Sequence, residues 1–205
     1  MHAMSDASQS SQGVDRRTAL LDATIRLIAS DGLGAVTHRR VEHLADAPHG
    51  STTYYFRSKA ALIAAAGQRL TDLDHQALDG LALDVARALA PRSDTPDLSM
   101  IAATLAHWVE DNRDLHLARF ELALAAARDP VLARTDTAWN ETFLGIIEPV
   151  VISAGSSSAR LDARYVCAAF MGIVFDQVVR PQPDFARTVL PGSLQRLLSS
   201  LAVGV

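Results

Sequence analysis

Cysteine, lysine and aromatic residues are scarce in this 205-residue sequence, and the scarcity limits what the chain can be. Its single cysteine, Cys167, cannot form an internal disulfide, so we expect a fold without covalent cross-links in a reducing, cytoplasmic compartment. The longest nearly unbroken apolar run, residues 166–175, is too short to span a bilayer, so we expect no membrane partner. Residues 1–13 are polar and lack the apolar segment of a secretory signal, and we expect them to form a disordered tail.

Motifs of several enzyme classes are also missing. The sequence has no glycine-rich phosphate loop and no G-x-S-x-G turn of the kind that carries a hydrolase nucleophile. Paired Glu-x-x-His motifs of di-iron bundles do not occur, and the nearest groups are Asp72 with His75 and His107 with Glu110. We therefore expect no catalytic residue, no metal site and no cofactor. A metal-dependent bundle enzyme and a protein-binding helical adaptor are the competing interpretations.

Alanine and leucine dominate what is present. They total 61 residues, against 35 for valine, isoleucine and threonine, a balance that favours helices over strands. Apolar residues recur at spacings of three and four, as at Leu21, Thr24, Ile25 and Ile28, which predicts an amphipathic first helix that Asp15 caps. We predict an all-α fold. The predicted helices span about residues 16–30, 38–45, 48–56, 59–90, 98–111, 114–128, 131–154, 159–179 and 184–203.

The charge of the chain is unevenly distributed. The formal net charge of −4 argues against a nucleic-acid partner when taken alone. Residues 16–59, however, carry a net charge of +3 before histidines are counted, whereas residues from 60 onward carry −5. Such a reversal indicates that the N-terminal part meets an anion, with uneven sampling over a short segment as the alternative.

Two short predicted helices joined by a tight turn follow Thr37, which can cap the first of them. This is the arrangement of a helix-turn-helix, whose second helix must enter a DNA groove only about 12 Å wide and must also dock rigidly on the domain. Tyr55 and Phe56 can pack back onto the first helix of the chain. The side chains that remain for DNA are His49, Ser51, Thr53 and Tyr54.

The run THRRVEHLADAPHGSTTYYFRSKAAL, residues 37–62, resembles the DNA-binding domain of the TetR family of bacterial transcriptional repressors. The shared features are the capped second helix, the turn at residues 45–47, the aromatic end of the recognition helix at 54–56, and Ser-Lys-x-x-Leu at 58–62. The similarity is clear over residues 16–62 and weaker beyond them, where residues 120–130 include a family-like stretch.

The sequence departs from the family pattern at two positions. Asp46 stands where the family usually has glycine, and aspartate tolerates left-handed backbone geometry better than most residues. Thr53 stands where the family often has tyrosine, with aromatic residues at Tyr54 and Tyr55 instead. This leaves open which of the two tyrosines contacts phosphate.

The resemblance implies an N-terminal three-helix helix-turn-helix domain joined by helix 4 to a C-terminal helical ligand-binding and dimerisation domain. We place these domains at residues 14–60 and 61–205. The resemblance further implies a ligand-responsive transcriptional regulator and not an enzyme. In its simplest form this is a repressor that binds a palindromic double-stranded DNA operator as a homodimer and is released by a small, mostly apolar effector.

Residue by residue, the resemblance places Thr37 and His38 on backbone phosphate and Arg39 at a base edge, where its fork suits guanine. It places Tyr55 and Lys59, the one lysine of the chain, on a flanking phosphate. Ordinary solvated helix faces are the alternative for the arginines, and core packing is the alternative for Tyr55. The full predicted DNA-binding set is Thr37, His38, Arg39, His49, Ser51, Thr53, Tyr54, Tyr55 and Lys59.

Two further sets concern the later helices. Large aromatic residues with a few polar neighbours on three predicted helices are typical of a small-molecule site, with ordinary core aromatics as the alternative. Two strongly apolar helices predict a four-helix dimer interface, unless both helices only feed the monomer core. The predicted effector-binding residues are Trp108, Phe120, Glu121, Trp139, Asn140 and Phe143, and the predicted interface residues are Tyr165, Ala168, Gly172, Phe175, Leu194, Leu197 and Leu201.

Overall fold

The computed structural model of the chain describes residues 3–88 and 98–202, and no strand occurs within these two ranges. The all-α prediction is confirmed. No helix in this part of the chain is both long enough and apolar enough to cross a bilayer. The helices are α1 Ala3–Asp31, α2 His38–Leu44, α3 Ser51–Tyr55, α4 Lys59–Ala88, α5 Leu98–Asp111, α6 Arg113–Ala126, α7 Pro130–Ser153, α8 Ala159–Val179 and α9 Leu190–Ala202.

The first helix begins earlier than the sequence predicts. It starts at Ala3 instead of at Asp15, so residues 3–13 are helical where we expected a disordered tail; residues 1 and 2 lie outside the described part. This segment contains no proline, so nothing in it blocks the backbone hydrogen bonds of a helix. At the other end, Gly32 has a positive φ of 77°, which glycine adopts without strain, and its N–H donates to the Ile28 carbonyl at 2.9 Å.

Two compact units divide the chain. The first comprises Met1–Asp72 and Leu117–Asp136, and the second comprises Leu73–His116 and Thr137–Val205. The division falls inside α4, after Asp72, whereas the sequence places the domain boundary after residue 60. The reason is burial, because Leu62, Ala66 and Leu70 of α4 are all almost fully buried in the first unit.

The first unit is built on the apolar stripe that the sequence predicts for α1. The stripe residues Leu21, Thr24, Ile25 and Ile28 are all buried. The buried hydroxyl of Thr24 has a hydrogen-bond partner, since it donates to the Leu20 carbonyl at 2.8 Å. Contacts join α1 to α2 and α2 to α3. The three helices thus form the support on which the exposed side chains of α2 and α3 are held.

In the second unit, α8 and α9 pack on each other and on α5. A proline inside a helical pattern predicts a kink or an end, but Pro149 lies inside α7, which continues to Ser153. The last predicted helix is divided, because a π-helical turn at Phe185–Val189 precedes α9. Phe185 is almost fully buried, so this widened turn contributes to the core.

Candidate functional site

The helix-turn-helix of the first unit is fixed by local backbone chemistry. Thr37 caps α2 as predicted, with its hydroxyl oxygen accepting from the Arg40 N–H at 3.3 Å. Asp46 has a φ of 48°, the left-handed conformation expected at this turn position. Gly50, with φ of 86°, makes the second left-handed residue just before α3. Ser58 caps α4 as predicted, since its hydroxyl accepts from the Ala61 N–H at 3.1 Å.

A buried carboxylate that the sequence analysis missed ties α2 to α3. Glu42 is 5% exposed, and its Oε1 accepts from the Thr52 N–H at 3.0 Å and from the Thr52 hydroxyl at 2.5 Å. Its Oε2 lies 3.3 Å from Nδ1 of His49. Burial raises the pKa of Glu42, but the Thr52 hydroxyl, the Thr52 and Gly50 backbone and His49 more than offset this and hold it below its usual value.

Most of the predicted DNA-binding residues lie at the surface of this unit. Tyr54 is 82% exposed, and the ring of His49 is 94% exposed. Tyr55 is half-buried and meets the Tyr54 ring edge-on at 4.9 Å between centroids, so it combines packing with a partly open face. Those that remain exposed are Thr37, Arg39, His49, Thr53, Tyr54 and Lys59; His38, Ser51 and Tyr55 are half-buried.

Some of these side chains already have partners within the unit. Nδ1 of His38 lies 3.2 Å from the Thr53 hydroxyl, which brings predicted residues of α2 and α3 together. The Lys59 ammonium donates to the Gly34 carbonyl at 3.3 Å. Arg40, in contrast, forms an ion pair with Asp31, so it holds the end of α1 against α2. The two arginines of α2 therefore differ, since Arg39 projects into solvent.

Of the side chains predicted to face inward in this part of the chain, Phe56 is buried and Leu44 is not. Phe56 is buried, and the guanidinium of Arg17 on α1 lies 5.4 Å from the centre of its ring, a cation–π contact. The spacing of three after Val41 predicts that Leu44 also faces inward, and this prediction is wrong, since 43% of Leu44 is exposed. It is the last residue of α2, where the chain turns away into the Asp46 bend and the helical periodicity no longer applies.

In the second unit, three of the predicted effector-site aromatics form one cluster. Trp108, Trp139 and Phe143 are all buried, and Phe143 stacks on Trp139 with ring centres 5.3 Å apart. Phe170 of α8, which the sequence analysis missed, stacks on Phe143 at 5.8 Å. Because α8 is apolar nearly all round, nothing in its sequence distinguishes Phe170 from other core residues.

Polar groups border this cluster. The Trp139 indole donates to the buried Asp74 carboxylate at 2.8 Å. His116 meets Trp108 edge-on at 4.4 Å, and neither of its ring nitrogens has a hydrogen-bond partner among the described residues. Burial lowers the pKa of His116 to about 4, partly offset by the backbone of Trp108, so the ring is neutral at physiological pH. The half-buried Asn140 accepts a weak hydrogen bond from Cys167.

The other two predicted effector residues, Phe120 and Glu121, lie in the first unit. Glu121 is exposed, and its Oε2 accepts from the Leu33 N–H, 3.5 Å away, in the turn that follows α1. Consecutive residues of one helix can belong to different units, because each unit is set by tertiary contacts and not by position along α6. Sequence spacing alone therefore could not separate these two residues from Trp108 and Phe143.

An apolar cavity adjoins the aromatic cluster. About 590 Å³ of empty space lies between its walls when the open solvent at its mouth is counted, and only a small part of this space is enclosed. Phe143 and Phe170 form part of its wall, and the remaining lining is aliphatic, so it offers a stacking surface and no charged group. Its lining residues are Ile101, Leu105, Phe143, Ile146, Ile147, Val150, Val166, Phe170, Leu194, Leu197 and Leu198.

The predicted interface residues of α8 lie on its exposed side. Tyr165 and Phe175 are 51% and 45% exposed, and Ala168 and Gly172 between them are also exposed. Leu161 and Val179, which were not predicted, are exposed as well and extend the series. We call this face, made of Leu161, Tyr165, Ala168, Gly172, Phe175 and Val179, the α8 stripe; its spacing of four, three, four, three and four is that of a helix–helix seam.

On α9 the outcome differs. Leu194 is only 8% exposed and Leu197 lines the cavity, so both belong to the core of the second unit, whereas Leu201 is half-buried. α9 packs on α5 and α8 within the protomer, and the part of Leu194, Leu197 and Leu201 in a dimer interface stays a prediction.

Possible metal ligands and the single cysteine concern the alternative interpretation as an enzyme. No group of three or more His, Cys, Asp or Glu side chains arranged to hold a metal ion occurs in the described ranges. Burial raises the pKa of the Cys167 thiol to about 11, so the nucleophilic thiolate is not formed at neutral pH.

Comparison with known proteins agrees with the geometry of both units. A family model described as the tetracyclin repressor-like C-terminal domain matches residues 94–200, and one described as bacterial regulatory proteins of the tetR family matches residues 20–66. No curated protein matches the chain.

Solved structures resemble the chain over most of its length. The multidrug binding protein EbrR complexed with proflavin is 31% identical, with 89% of this chain and 99% of that one covered and a TM-score of 0.55. A TetR family member, SCO1917 from Streptomyces coelicolor A3, is 30% identical, with 89% and 97% covered and a TM-score of 0.62. A putative TetR-family regulator from Mesorhizobium loti, at 14% identity, 92% and 97% coverage and a TM-score of 0.71, shares the fold.

Regulators of this kind bind DNA and act as dimers, and they carry a ligand-binding C-terminal domain. One family model covers the predicted helix-turn-helix, and the other alone covers more than half of the whole chain. The chain therefore belongs to the TetR family of transcriptional regulators, which are DNA-binding proteins and not enzymes.

Proposed function

We propose that the chain is a cytoplasmic repressor that binds a palindromic operator as a homodimer and is released by a small, mostly apolar, aromatic effector. The observation that carries this proposal is the exposed face of α2 and α3, where Arg39, Thr53 and Tyr54 project into solvent beside a buried polar support. Tyr54 is 82% exposed, so both its ring and its hydroxyl are open to a partner on this face.

DNA contact would combine two kinds of interaction on this face. Arg39 can donate two parallel hydrogen bonds to the O6 and N7 atoms of guanine, which is a base-specific contact. Thr37, Lys59 and the tyrosine hydroxyls are suited to phosphate oxygens, which fix register without reading sequence. The predicted DNA-binding set therefore supports both specificity and affinity.

Dimerisation would use the α8 stripe. Tyr165 and Phe175 provide large apolar area, and the small residues Ala168 and Gly172 between them allow the backbone of a second α8 to approach closely. A dimer also gives operator recognition its logic, because two recognition helices related by a two-fold axis read both halves of a palindrome.

The effector site would be the aromatic-walled cavity of the second unit. A lining without charge favours an apolar molecule, and the stacked faces of Phe143 and Phe170 favour a planar one. The related EbrR structures contain imidazole, proflavin and malachite green, which are aromatic compounds. We include Trp108, Trp139 and Asn140 in the site, and we leave out Phe120 and Glu121, which do not line this cavity.

Release would follow from a difference in affinity between two states. An effector that binds preferentially to a dimer with unsuitably placed recognition helices shifts the population toward that dimer, and operator affinity falls.

The DNA-binding part of the proposal is tested by selection from a pool of random duplexes. We expect the wild-type protein to enrich a sequence with two-fold symmetry and to bind it at least about 1,000-fold more tightly than random DNA at physiological salt. Fluorescence anisotropy with labelled duplexes measures both affinities. Failure to enrich any sequence, with binding equal on all duplexes, would contradict the proposal.

The effector part is tested with proflavin. The chain has two tryptophans, Trp108 and Trp139, and both belong to the aromatic cluster, so quenching of indole emission reports on this site. We expect saturable quenching that Ile147→Phe, which narrows the cavity, weakens about fivefold or more. Ile152→Phe is the matched control, because Ile152 is 59% exposed on the same helix. Equal quenching in both variants would place the ligand elsewhere.

A further inference from the structure

We propose that Glu42 is a positioning residue for DNA recognition, whose buried carboxylate fixes the first turn of α3 with one oxygen and orients the His49 ring toward DNA with the other. This inference rests on the proposed DNA-binding function and assigns a role to a residue outside the predicted DNA-binding set. Glu42 would not touch DNA itself, since it is 5% exposed.

The two carboxylate oxygens have separate partners. Oε1 accepts from both the N–H and the hydroxyl of Thr52, at 3.0 and 2.5 Å, which satisfies polar groups of α3 that are otherwise buried. Oε2 faces Nδ1 of His49 at 3.3 Å. A recognition helix of only five residues has little stability of its own, so a side-chain link at its first turn decides where its exposed face points.

The charge of Glu42 decides how the His49 ring is oriented. The hydrogen bonds from Thr52 and Gly50, together with His49, hold the pKa of Glu42 below its usual value, so the group is a carboxylate that can only accept hydrogen bonds. A carboxylate oxygen 3.3 Å from Nδ1 favours the tautomer of His49 that carries its proton on this nitrogen. The opposite nitrogen, Nε2, is then left for DNA on a ring that is 94% exposed.

This arrangement does for a DNA contact what an outer carboxylate does for a metal-bound histidine, where it fixes the tautomer and the orientation of the ring. An exposed histidine without such a partner loses side-chain entropy when it is ordered on binding. A ring already held by Glu42 loses less. In the neutral ring with its proton on Nδ1, Nε2 can accept from a base amino group, and when the ring carries a second proton Nε2–H can donate a charge-assisted hydrogen bond to a phosphate.

A purely structural role for Glu42 makes a different prediction, and the two oxygens allow the roles to be separated. Glu42→Gln keeps an amide oxygen that can accept from Thr52 but replaces the oxygen facing His49 with an NH2 group, which cannot accept the Nδ1 proton. Thr52→Val does the reverse, because it removes the hydroxyl that contacts Oε1 and leaves the His49 contact in place.

The test is a double-mutant cycle on the full-length protein with the duplex that the wild type selects. We expect Glu42→Gln and His49→Ala each to weaken binding about threefold to tenfold, and the double variant to bind no more weakly than His49→Ala alone. Thermal unfolding of Glu42→Gln should stay close to that of the wild type, whereas Thr52→Val should unfold at a lower temperature. The proposal would be overturned if the losses of affinity in the two single variants multiplied in the double variant, or if Glu42→Gln lost no affinity.

A second measurement has its main readout in the wild-type protein. The ¹⁵N spectrum of the His49 ring in the wild type, recorded where the ring is neutral, should show the proton on Nδ1, and the Glu42→Gln variant should lose this preference. A proton on Nε2 in the wild type would also overturn the proposal. Failure of the wild type to select any DNA would count against the proposed function, whereas the ¹⁵N result reports on the Glu42 contact alone.

Discussion

At the scale of single residues, identical side chains acquire different roles from their neighbours. Arg39 and Arg40 are adjacent on α2, yet Arg40 is held by Asp31 while Arg39 projects into solvent. Only Arg39 can rearrange freely to meet a base edge. The distinction depends on where the last turn of α1 lies, so it is not visible in the local sequence.

Replacement of Arg39 should therefore affect specificity. We expect Arg39→Ala to cost about 1–3 kcal/mol on the selected duplex and to relax base preference at one position, because a bidentate guanine contact is lost. Anisotropy titrations on the selected and single-substituted duplexes measure this. Arg40→Ala is the matched control, and its effect should be the same on every duplex; an equal loss for Arg39→Ala on specific and random DNA would refute its base-reading role.

Lys59 should act differently from Arg39. Its ammonium is suited to a phosphate, so Lys59→Ala should weaken binding to all duplexes by about the same factor. The slope of log affinity against log salt concentration should also become shallower, by roughly one unit, because one fewer counterion is released. Titrations between about 50 and 200 mM salt check both effects. A loss confined to the selected duplex would contradict this role.

His116 provides a prediction on stability. Burial lowers its pKa to about 4 in the folded protein, against about 6.5 when unfolded, so between these values the unfolded chain binds more protons. The free energy of unfolding should be highest above about pH 6.5 and fall by up to about 3 kcal/mol as the pH drops to 4. Denaturant titrations across this range measure it. His116→Leu should flatten this part of the profile, and the exposed His107→Ala should not.

The residue scale is also where sequence analysis has least power. A glutamate and a threonine ten positions apart give no sign that they are buried together, because their contact depends on two left-handed residues, Asp46 and Gly50, folding the turn. The departure at Asp46 was visible in the sequence and its geometry was correctly predicted. What that geometry brings into contact was not.

At the scale of helices, periodicity predicted most elements correctly. The bounds of α5 and α8 match the prediction, since each is a long amphipathic or apolar segment between clear breaks. Errors occur where several hydrogen-bonding patterns are equally compatible with the sequence, at the polar beginning of α1 and at the π-helical turn before α9. The predicted ends at Ala90 and Val203 lie outside the described residues.

The α8 stripe gives a prediction on assembly. Gly172 is exposed with open space where a Cβ would lie, so Gly172→Arg is compatible with the protomer but places a charge in the middle of the proposed interface. We expect this variant to be monomeric by sedimentation at micromolar concentration, with unchanged helix content. Gly145→Arg on α7, also exposed and unobstructed, is the control and should stay dimeric. A dimeric Gly172→Arg protein would contradict the assignment.

At the scale of the whole molecule, the chain combines a DNA-reading unit with a unit that holds an aromatic-walled cavity. The family and the order of the two functions could be predicted, because the helix-turn-helix carries specific motifs over residues 37–62. The sequence could not predict that Phe120 and Glu121 belong to the first unit, since this depends on how α6 is shared between the units. The occurrence of large aromatic residues on several helices locates an effector site less precisely than a motif with fixed spacing locates a DNA interface.

Operator geometry gives a prediction at this scale. Two recognition helices related by a two-fold axis should require half-sites about one helical turn of DNA apart, roughly 10 base pairs from centre to centre. Inserting about 5 base pairs between the halves of the selected palindrome turns them to opposite sides of the duplex, and we expect affinity to fall at least about tenfold. Gel shifts with the two duplexes measure this. Equal binding to both would show that each protomer reads DNA independently.

The uniqueness of Lys59 has a practical consequence. An amine-directed reagent can modify only this side chain and the chain terminus, because no other residue of the sequence carries a primary amine. Its contact with the Gly34 carbonyl places it beside the turn that leads into α2, so acylation there would be slowed whenever a duplex covers that edge. The mass shift of the peptide that contains Lys59, followed over time in the presence and absence of DNA, would thus footprint the protein without any engineered label.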